Sequence, residues 1–415
     1  MRVQINTLGA QVASFVLEPT DSVYHLQEKL SHLRHLPRLR QRIVHHGLLL
    51  KPGTSLAGAG VHDGDHLTLV VLPPHVLLTA SSTGVAKLWA AETGECLRTL
   101  EGHKSWLTSA AFSPDGASVL TSSADGAAKI WSVATGECLR TLDSHHGAVV
   151  SATFSVDGES VLTTFGDSLA KIWCADTGRC VQTFQGHRGA TCPTTFSTDG
   201  SLVLAAATDG TAKIWRIDTG ECQLTLAGHT GAVVAATFSA DSGLVLTASY
   251  DCTAKIWDAK TGECRATLWG HERSLLTAAF SADGRSALTS SCDGTSKLWD
   301  VATGACRLTL GHYGALPSAQ FSADGTSILT YNMAFGSECF EEDGTAQIFN
   351  TATGECLQTL MHDGGLVVLA VFSADGLAVL TTDNHGSAKV WDAETGECQC
   401  TISNTGHVAR AAFGP

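Results

Sequence analysis

An aromatic residue returns along this chain at an almost constant interval. Tryptophans follow one another every 42 residues from Trp89 to Trp299, Phe349 comes 50 residues later, and Trp391 follows after a further 42. The eight markers are Trp89, Trp131, Trp173, Trp215, Trp257, Trp299, Phe349 and Trp391. Such a period indicates a repeat protein, in which each unit buries its apolar face against its neighbours.

Each repeat contains four short runs with the character of β-strands. Around Trp257 these are AVVAATF, LVLTAS, TAKIWD and CRATL, and the segments between them are rich in Asp, Gly and Ser. Alternating or β-branched runs separated by such residues predict strands and tight turns. With a Gly-His pair before the first run and the tryptophan in the third, the repeats resemble the WD40 family, which implies a β-propeller.

The two ends of the repeat region complement each other. The region begins with a second strand at residues 75–81 and ends with a first strand at residues 407–413. The resemblance implies that these strands pair and close the ring, which protects their edges. The predicted fold class is mainly β, with a closed eight-bladed propeller over residues 76–415, and residues 76–100 and 406–413 together form the closing blade.

Four repeats carry His, Thr, Asp and Trp at one spacing, with Thr, Asp and Trp lying 18, 22 and 28 residues after the His. The resemblance implies buried hydrogen-bonded networks that lock blades together, and not catalytic His–Asp pairs. The sets are His103–Thr121–Asp125–Trp131, His145–Thr163–Asp167–Trp173, His229–Thr247–Asp251–Trp257 and His271–Thr289–Asp293–Trp299. Elsewhere Ala205 replaces the Thr, and Thr83 and His385 stand where the Asp is expected.

The first 72 residues follow a different pattern. Two strand-like runs are followed by a helical stripe that Asp21 or Ser22 can cap, and by two further strand-like runs, QRIVHHG and HLTLVVL. The stripe consists of Val23, Leu26, Leu30 and Leu33. This segment resembles ubiquitin from Met1 to about Leu72, which implies an α+β β-grasp domain over residues 1–72 and a short Pro-Pro linker over residues 73–75.

The resemblance also implies how this domain functions. Pro73-Pro74 occupies the neighbourhood of ubiquitin's C-terminal di-glycine, so we expect a domain that is recognised but not conjugated. Ubiquitin's recognition face maps here onto Leu8, Arg42, Val44, His46, Gly47 and Val70. A small apolar patch ringed by polar residues is typical of a binding site. Two other readings stay open: ordinary strand residues, or a patch that packs on the propeller.

The repeat around Phe349 contains nine extra residues between its second and third strands. The inserted loop offers apolar and acidic side chains for a partner on the propeller, namely Met333, Phe335, Phe340, Glu341 and Glu342. A loop that folds over its own blade is the alternative.

Composition limits the classes of partner. The net charge is −14, while residues 1–74 carry seven Lys/Arg and five Asp/Glu, so the repeat region is strongly acidic and unsuited to nucleic acid. No apolar stretch is long enough to span a membrane. The 14 cysteines, eight of which recur once per repeat, are expected to be reduced and mostly packed, without disulfide, metal or cofactor. The expected location is the cytoplasm, with the nucleus as the alternative.

The sequence contains no nucleophile elbow, P-loop or zincin motif, so we expect no enzymatic activity. The favoured function is a protein–protein interaction scaffold or adaptor, monomeric within a larger complex. Its ubiquitin-like domain would dock on a ubiquitin reader, proteasome subunit or ligase, and its propeller would hold a client. The alternative is a general WD40 scaffold for signalling, cytoskeletal or RNA-processing complexes, in which the ubiquitin-like domain is only a packing module.

Overall fold

The computed structural model describes most of the chain. The described residues are 1–7, 10–34, 36, 38–50, 53–71, 75–143, 147–167, 169–185, 194–311, 317–332, 345–362, 365–403 and 406–414. Within this part of the chain, no helix combines the length and apolarity needed to cross a membrane.

The N-terminal segment forms one five-stranded sheet with a helix packed on it. Its elements are β1 (Arg2–Thr7), β2 (Ala10–Val16), α1 (Val23–Arg34), a short 3-10 helix (Arg38–Arg40), β3 (Gln41–His45), β4 (Leu48–Leu49) and β5 (His66–Val71). The strand order is β2-β1-β5-β3-β4, and only the β1–β5 pairing is parallel.

The helix begins where its sequence provides a cap. The Ser22 hydroxyl accepts a hydrogen bond from the backbone N–H of His25 (3.2 Å), whereas Asp21 accepts from Glu18 N–H, so Ser22 is the capping residue. Val23, Leu26 and Leu30 are fully buried against the sheet. The apolar stripe predicts that Leu33 also faces the core, and this was wrong. Leu33 is 54% exposed, because the last helical turn extends beyond the edge of this core.

Among the described residues, the repeats form eight four-stranded antiparallel sheets. In the first half of the region, the strands are β6 (Val76–Ser81), β7 (Ala86–Ala90), β8 (Cys96–Leu100), β9 (Leu107–Phe112), β10 (Ser118–Ser123), β11 (Ala127–Ser132), β12 (Cys138–Asp143), β13 (Val149–Phe154), β14 (Ser160–Phe165), β15 (Ala170–Cys174), β16 (Cys180–Phe184), β17 (Thr195–Phe196), β18 (Leu202–Ala206), β19 (Thr211–Arg216) and β20 (Cys222–Ala227). The remaining strands are β21 (Val233–Phe238), β22 (Leu244–Ser249), β23 (Ala254–Asp258), β24 (Cys264–Leu268), β25 (Leu275–Phe280), β26 (Ser286–Ser291), β27 (Thr295–Asp300), β28 (Cys306–Gly311), β29 (Pro317–Phe321), β30 (Ser327–Asn332), β31 (Thr345–Asn350), β32 (Cys356–Met361), β33 (Val367–Phe372), β34 (Ala378–Asp383), β35 (Ala388–Asp392), β36 (Cys398–Ile402) and β37 (Val408–Phe413).

The sheets take consecutive strands in groups of four from β9 to β36, and the remaining sheet has the order β37-β6-β7-β8. The last strand thus pairs with the first strand of the repeat region, with Ala411 opposite Thr79. Strand β37 also contacts β9 and β33, which belong to the sheets on either side.

The repeating tryptophan explains how neighbouring sheets adhere. Trp131, in β11, packs in one core with Leu88 and Leu100 of the preceding sheet, and Trp257 packs likewise with Ile214 and Leu226. Each repeat therefore buries its large aromatic ring in the unit before it, as the sequence period requires. Trp89 and Trp391 lie in a single core, which links the first sheet to the last.

The prediction that the recurring cysteines are mostly packed was wrong. The recurring cysteine begins the fourth strand of each sheet, and its side chain is exposed in all eight repeats, because this strand is the outermost of the four. The eight residues are Cys96, Cys138, Cys180, Cys222, Cys264, Cys306, Cys356 and Cys398. All twelve cysteines among the described residues are free thiols.

Candidate binding surfaces

The repeated polar residues meet in buried hydrogen-bonded networks. His103 Nδ1 lies 2.9 Å from Asp125 Oδ2, and its Nε2 lies 2.9 Å from Thr121 Oγ1. The indole N–H of Trp131 donates to the same threonine oxygen (2.7 Å). The network joins the segment before the first strand to the second and third strands and to the turn between them.

Two more of the predicted sets have the same geometry. In one, His229 lies 2.8 Å from both Asp251 and Thr247, and Trp257 donates to Thr247 (2.8 Å). The other set, which is His271, Asp293, Thr289 and Trp299, has distances of 2.8–2.9 Å.

The predicted set that begins with His145 is described only in part. Trp173 donates to Thr163 (2.8 Å), and Asp167 is exposed. His145 lies outside the described residues.

A further network in the last repeat was not predicted from the sequence. His362 Nδ1 lies 3.1 Å from Asp383, its Nε2 lies 2.6 Å from Thr381, and Trp391 donates to Thr381 (2.7 Å). The aspartate comes two residues after the threonine instead of four, so a fixed spacing selected His385 and missed it. His385 donates its backbone N–H to Asp383 instead (3.0 Å).

One arrangement of protons satisfies every group of a network. Burial lowers the pKa of His229, against the opposing effect of Asp251, so the imidazole is neutral at pH 7. Burial raises the pKa of Asp251, but hydrogen bonds from Thr253, Thr230 and His229 outweigh it and bring that pKa to about 2. His229 Nδ1–H then donates to the carboxylate, while Nε2 accepts from the Thr247 hydroxyl.

These pKa shifts predict a loss of stability in acid. Burial holds the pKa of His103, His229 and His271 below 6.5, so the unfolded chain binds protons more readily than the folded one as the pH falls below that value. We expect the free energy of unfolding to decrease from pH 7 towards pH 5, and further below pH 3.8 as Asp251 and Asp293 are protonated. Urea unfolding between pH 7.5 and 3 measures this.

The matched pair of variants for that measurement is His229→Gln and His32→Gln. The first removes one buried imidazole and should reduce the decrease between pH 7 and 5, whereas the second changes an exposed helical histidine and should leave it unchanged. Equal pH profiles for all three proteins would contradict the assignment of the decrease to the networks.

The predicted ubiquitin-like face is divided between solvent and the repeat region. Val70 is 37% exposed, Val44 is half-buried, and His46 and Gly47 form an exposed turn between β3 and β4 with positive φ angles of 49° and 81°. Arg42, in contrast, forms an ion pair with Asp375 of the repeat region and is largely buried there. Leu8 lies outside the described residues.

Three contacts hold the N-terminal domain against the last sheet. Besides the Arg42–Asp375 pair, Arg38 lies 3.3 Å from Glu397, and the Tyr24 hydroxyl donates to the same carboxylate. The Arg38 guanidinium also stacks over the Tyr24 ring at 4.3 Å. A basic domain therefore rests on acidic turns.

Hydrogen bonds within its own turn orient the Asp375 carboxylate for this contact. Its Oδ1 accepts from the Ser373 hydroxyl (2.7 Å) and from Leu377 N–H (3.0 Å), which leaves Oδ2 for Arg42. Burial raises the pKa of Asp375, but these hydrogen bonds and Arg42 together keep it below its ordinary value. The turn joins first and second strands, so it lies at the opposite end of the sheet from the His–Asp networks.

We predict measurable coupling across this domain contact. A double-mutant cycle of Arg42→Ala and Asp375→Ala should give a coupling energy of roughly 1 kcal/mol in urea unfolding, because both partners are mostly shielded from water. The exposed Arg216–Asp218 pair, treated in the same way, should give a coupling close to zero. Equal coupling energies for the two pairs would argue against a persistent contact.

Exposed aromatic rings mark the face of the repeat region that carries the networks. Trp106 (58% exposed) precedes β9, Tyr250 (53%) follows β22, and Trp269 (72%) follows β24. The Ser274 hydroxyl donates to the backbone oxygen of Tyr250 (3.2 Å), which ties neighbouring turns together. The repeat pattern did not single out these residues, although Trp106 and Trp269 each lie within three positions of a network histidine.

The inserted loop that was predicted to contact a partner cannot be located relative to this face. Met333, Phe335, Phe340, Glu341 and Glu342 all lie outside the described residues.

Comparisons with known proteins find a family model that matches each part of the chain. The model of the WD domain, G-beta repeat, matches residues 94–132, 136–174, 178–216, 220–258, 262–300 and 354–392, and that of the ubiquitin family matches residues 3–74. The crystal structure of the computationally designed Ika8 protein is similar, with a TM-score of 0.65 and 30% identity over 75% of this chain and 90% of that one.

The curated relatives match this chain over short segments only. The nuclear distribution protein PAC1 of Arthroderma benhamiae is 46% identical over 46 residues, 11% of this chain and 10% of the relative. That of Mycosarcoma maydis is 43% identical over 42 residues, so the chain spans about a tenth of the length of these relatives. From its repeats and its first domain, the chain belongs to the WD40 family and carries a ubiquitin-family domain ahead of its repeats.

Proposed function

We propose that this protein is a non-enzymatic scaffold or adaptor that binds one protein through its repeat region and another through its ubiquitin-family domain. The observation that carries the proposal is the separation of two exposed surfaces. Tyr250 and Trp269 lie at the ends of the sheets that carry the networks, whereas Asp375 and Glu397 hold the ubiquitin-family domain at the opposite ends. Two partners can therefore bind without competing for space.

For the repeat region, we propose a closed eight-bladed propeller over residues 76–415, joined through residues 73–75 to a domain of residues 1–72. The closing blade would combine residues 76–100 with 406–413. Pairing of β37 with β6 and the common core of Trp89 and Trp391 support this arrangement. A closed ring is a rigid platform on which exposed aromatic side chains are held in place.

For the ubiquitin-family domain, the proposed partner is a component of the ubiquitin or proteasome system. The contact face would consist of Leu8, Val44, His46, Gly47 and Val70. Arg42 is not part of this proposed contact face. Its pairing with Asp375 would orient the domain and leave Val70 exposed to solvent.

A structural role for the histidine networks supports a function without catalysis. The side chains of His103, His229 and His271 are each 1% exposed, and both ring nitrogens have partners, so a substrate could not reach them. The proposed partners are proteins, bound by a monomer within a larger complex. The free exposed thiols suit the reducing cytoplasm.

Binding to purified proteasome tests the proposed role of the ubiquitin-family domain. We expect the Val44→Asp/Val70→Asp double variant to bind at least tenfold more weakly than the wild type. Val16→Asp/Leu33→Asp, which alters two other exposed apolar residues of the same domain, should bind normally. Equal binding by all three proteins, or no binding by any, would contradict this partner class.

Cross-linking in cell lysate tests the propeller face. The Tyr250→Ala/Trp269→Ala variant should lose captured clients, while Val156→Ala/Val181→Ala, which alters exposed apolar residues elsewhere on the repeats, should retain them.

A second candidate is a general WD40 scaffold in which the ubiquitin-family domain only packs. The contacts of Arg38 and Arg42 with Glu397 and Asp375 favour it, and so does the short likeness to PAC1 proteins. Under this alternative, the Val44/Val70 variant would keep every partner that the wild type captures.

A further inference from the structure

Two adjacent histidines and a distant aspartate meet at one corner of the N-terminal sheet. His45 ends β3, His46 begins the turn to β4, and Asp65 immediately precedes β5. Because β3 and β5 are antiparallel neighbours, the end of one lies beside the beginning of the other. One nitrogen or oxygen atom from each of the three side chains lies within 4.8 Å of the others.

The unusual member of this cluster is His45. Its side chain is 6% exposed, and its buried Nε2 atom has no hydrogen-bond partner among the described residues. Yet Nε2 lies only 3.0 Å from Asp65 Oδ2, so the two atoms are close without the alignment of a hydrogen bond. A buried polar atom without a partner requires a physical explanation.

The positions of the other two donors are fixed by the backbone. Asp65 Oδ2 accepts the backbone N–H of His62 (2.8 Å), which anchors the carboxylate beside His45. His46 adopts a φ of 49°, and the centroid of its ring lies 4.1 Å from that of the His45 ring. Two imidazoles and a carboxylate therefore converge on one small volume.

From this geometry, we propose that His45, His46 and Asp65 bind a divalent transition-metal ion of the zinc class. Zn–N and Zn–O bonds of about 2.0–2.2 Å in a tetrahedron require ligand atoms about 3.3 Å apart, close to the separation of His45 Nε2 and Asp65 Oδ2. The Nε2 lone pair of His45 would then be directed at the ion, and solvent would complete the coordination at the exposed side of His46.

This site differs from what the sequence predicted, which was no metal. The repeated cysteines, the more obvious metal donors, begin the fourth strands of eight separate sheets and are not brought together. Asp65 lies 20 residues after His45 and 19 after His46 along the chain, and the strand pairing makes them neighbours.

Equilibrium dialysis of the full-length protein against Zn²⁺ tests the proposal, with bound metal quantified by mass spectrometry. The exposed thiols are first alkylated so that they do not bind the ion. The variants are His46→Ala and Asp65→Asn, whose side chains reach solvent, together with His45→Gln. His32→Ala is the matched control, because it removes an exposed histidine on the helix.

We expect the wild type and His32→Ala to bind one equivalent of Zn²⁺, and the three site variants to bind it at least tenfold more weakly. Circular dichroism should be unchanged for His46→Ala and Asp65→Asn, which separates loss of the site from loss of the fold. An absence of zinc binding by the wild type, or equal affinity in all the variants, would overturn the proposal.

Discussion

The Ala411→Asp variant is expected to lose at least about 3 kcal/mol of folding free energy, because it would place a carboxylate without a partner in an apolar core. Ala411 is 7% exposed in β37 and shares its core with Leu77, Leu369 and Val408. Since β37 pairs with β6 and also packs against β9 and β33, three sheets depend on this strand. Thermal unfolding should show a melting temperature roughly 5–10 °C lower.

The control for this prediction is Arg410→Asp. It introduces the same carboxylate one position earlier in the same strand, where the side chain is exposed, and should change stability by no more than about 0.5 kcal/mol. If the two variants had equal stability, β37 would not be seated against β6, and the proposed closing blade would be wrong.

Replacing Thr247 by Val should cost on the order of 3 kcal/mol, although the two side chains have nearly the same shape. The Thr247 oxygen accepts from the Trp257 indole N–H and bonds to His229 Nε2, both at 2.8 Å. Valine leaves these two buried groups unpaired, and each unpaired group costs about 1–3 kcal/mol. Urea unfolding followed by tryptophan fluorescence measures the loss.

Thr237→Val is the matched substitution in the same sheet. The Thr237 hydroxyl bonds only weakly to the neighbouring Phe238 carbonyl (3.3 Å), so this variant should remain close to wild-type stability. Asp251→Ala should cost about 1–3 kcal/mol, and adding it to Thr247→Val should cost less than the sum, since both disrupt one network. A fully additive double variant would contradict the idea of a single cooperative unit.

The networks also show why a fixed spacing is an incomplete guide. Asp383 reaches His362 from a position two residues after its threonine, and Asp251 reaches His229 from four residues after its own. What the fold requires is a carboxylate at the end of the second strand or in the turn after it, and two backbone positions can provide it. The histidine is displaced as well, because His362 precedes its threonine by 19 residues instead of 18, so a search for the fifth network has to allow both shifts.

The exposure of a side chain could be predicted from the sequence only where the apolar pattern reflects contact with the core. Leu26 and Leu30 were placed correctly because they face the sheet, whereas Leu33 and the repeated cysteines look equally apolar yet lie at an edge. Trp106 and Trp269 were overlooked for the converse reason, since an aromatic residue in a short connection looks like core in a sequence.

The sequence by itself determined the repeat, its four strands, the family of each domain and most members of the buried networks, because these depend on local periodicity and on residues at constant spacing. Only the tertiary structure decided that Arg42 pairs with Asp375, that Trp269 faces solvent, and that His45 meets Asp65. The physical reason is that such contacts join residues far apart in the chain, and their distances depend on how strands pair and how the domains rest on each other. Periodicity records which face of a strand is buried, but not which distant side chain lies beside it.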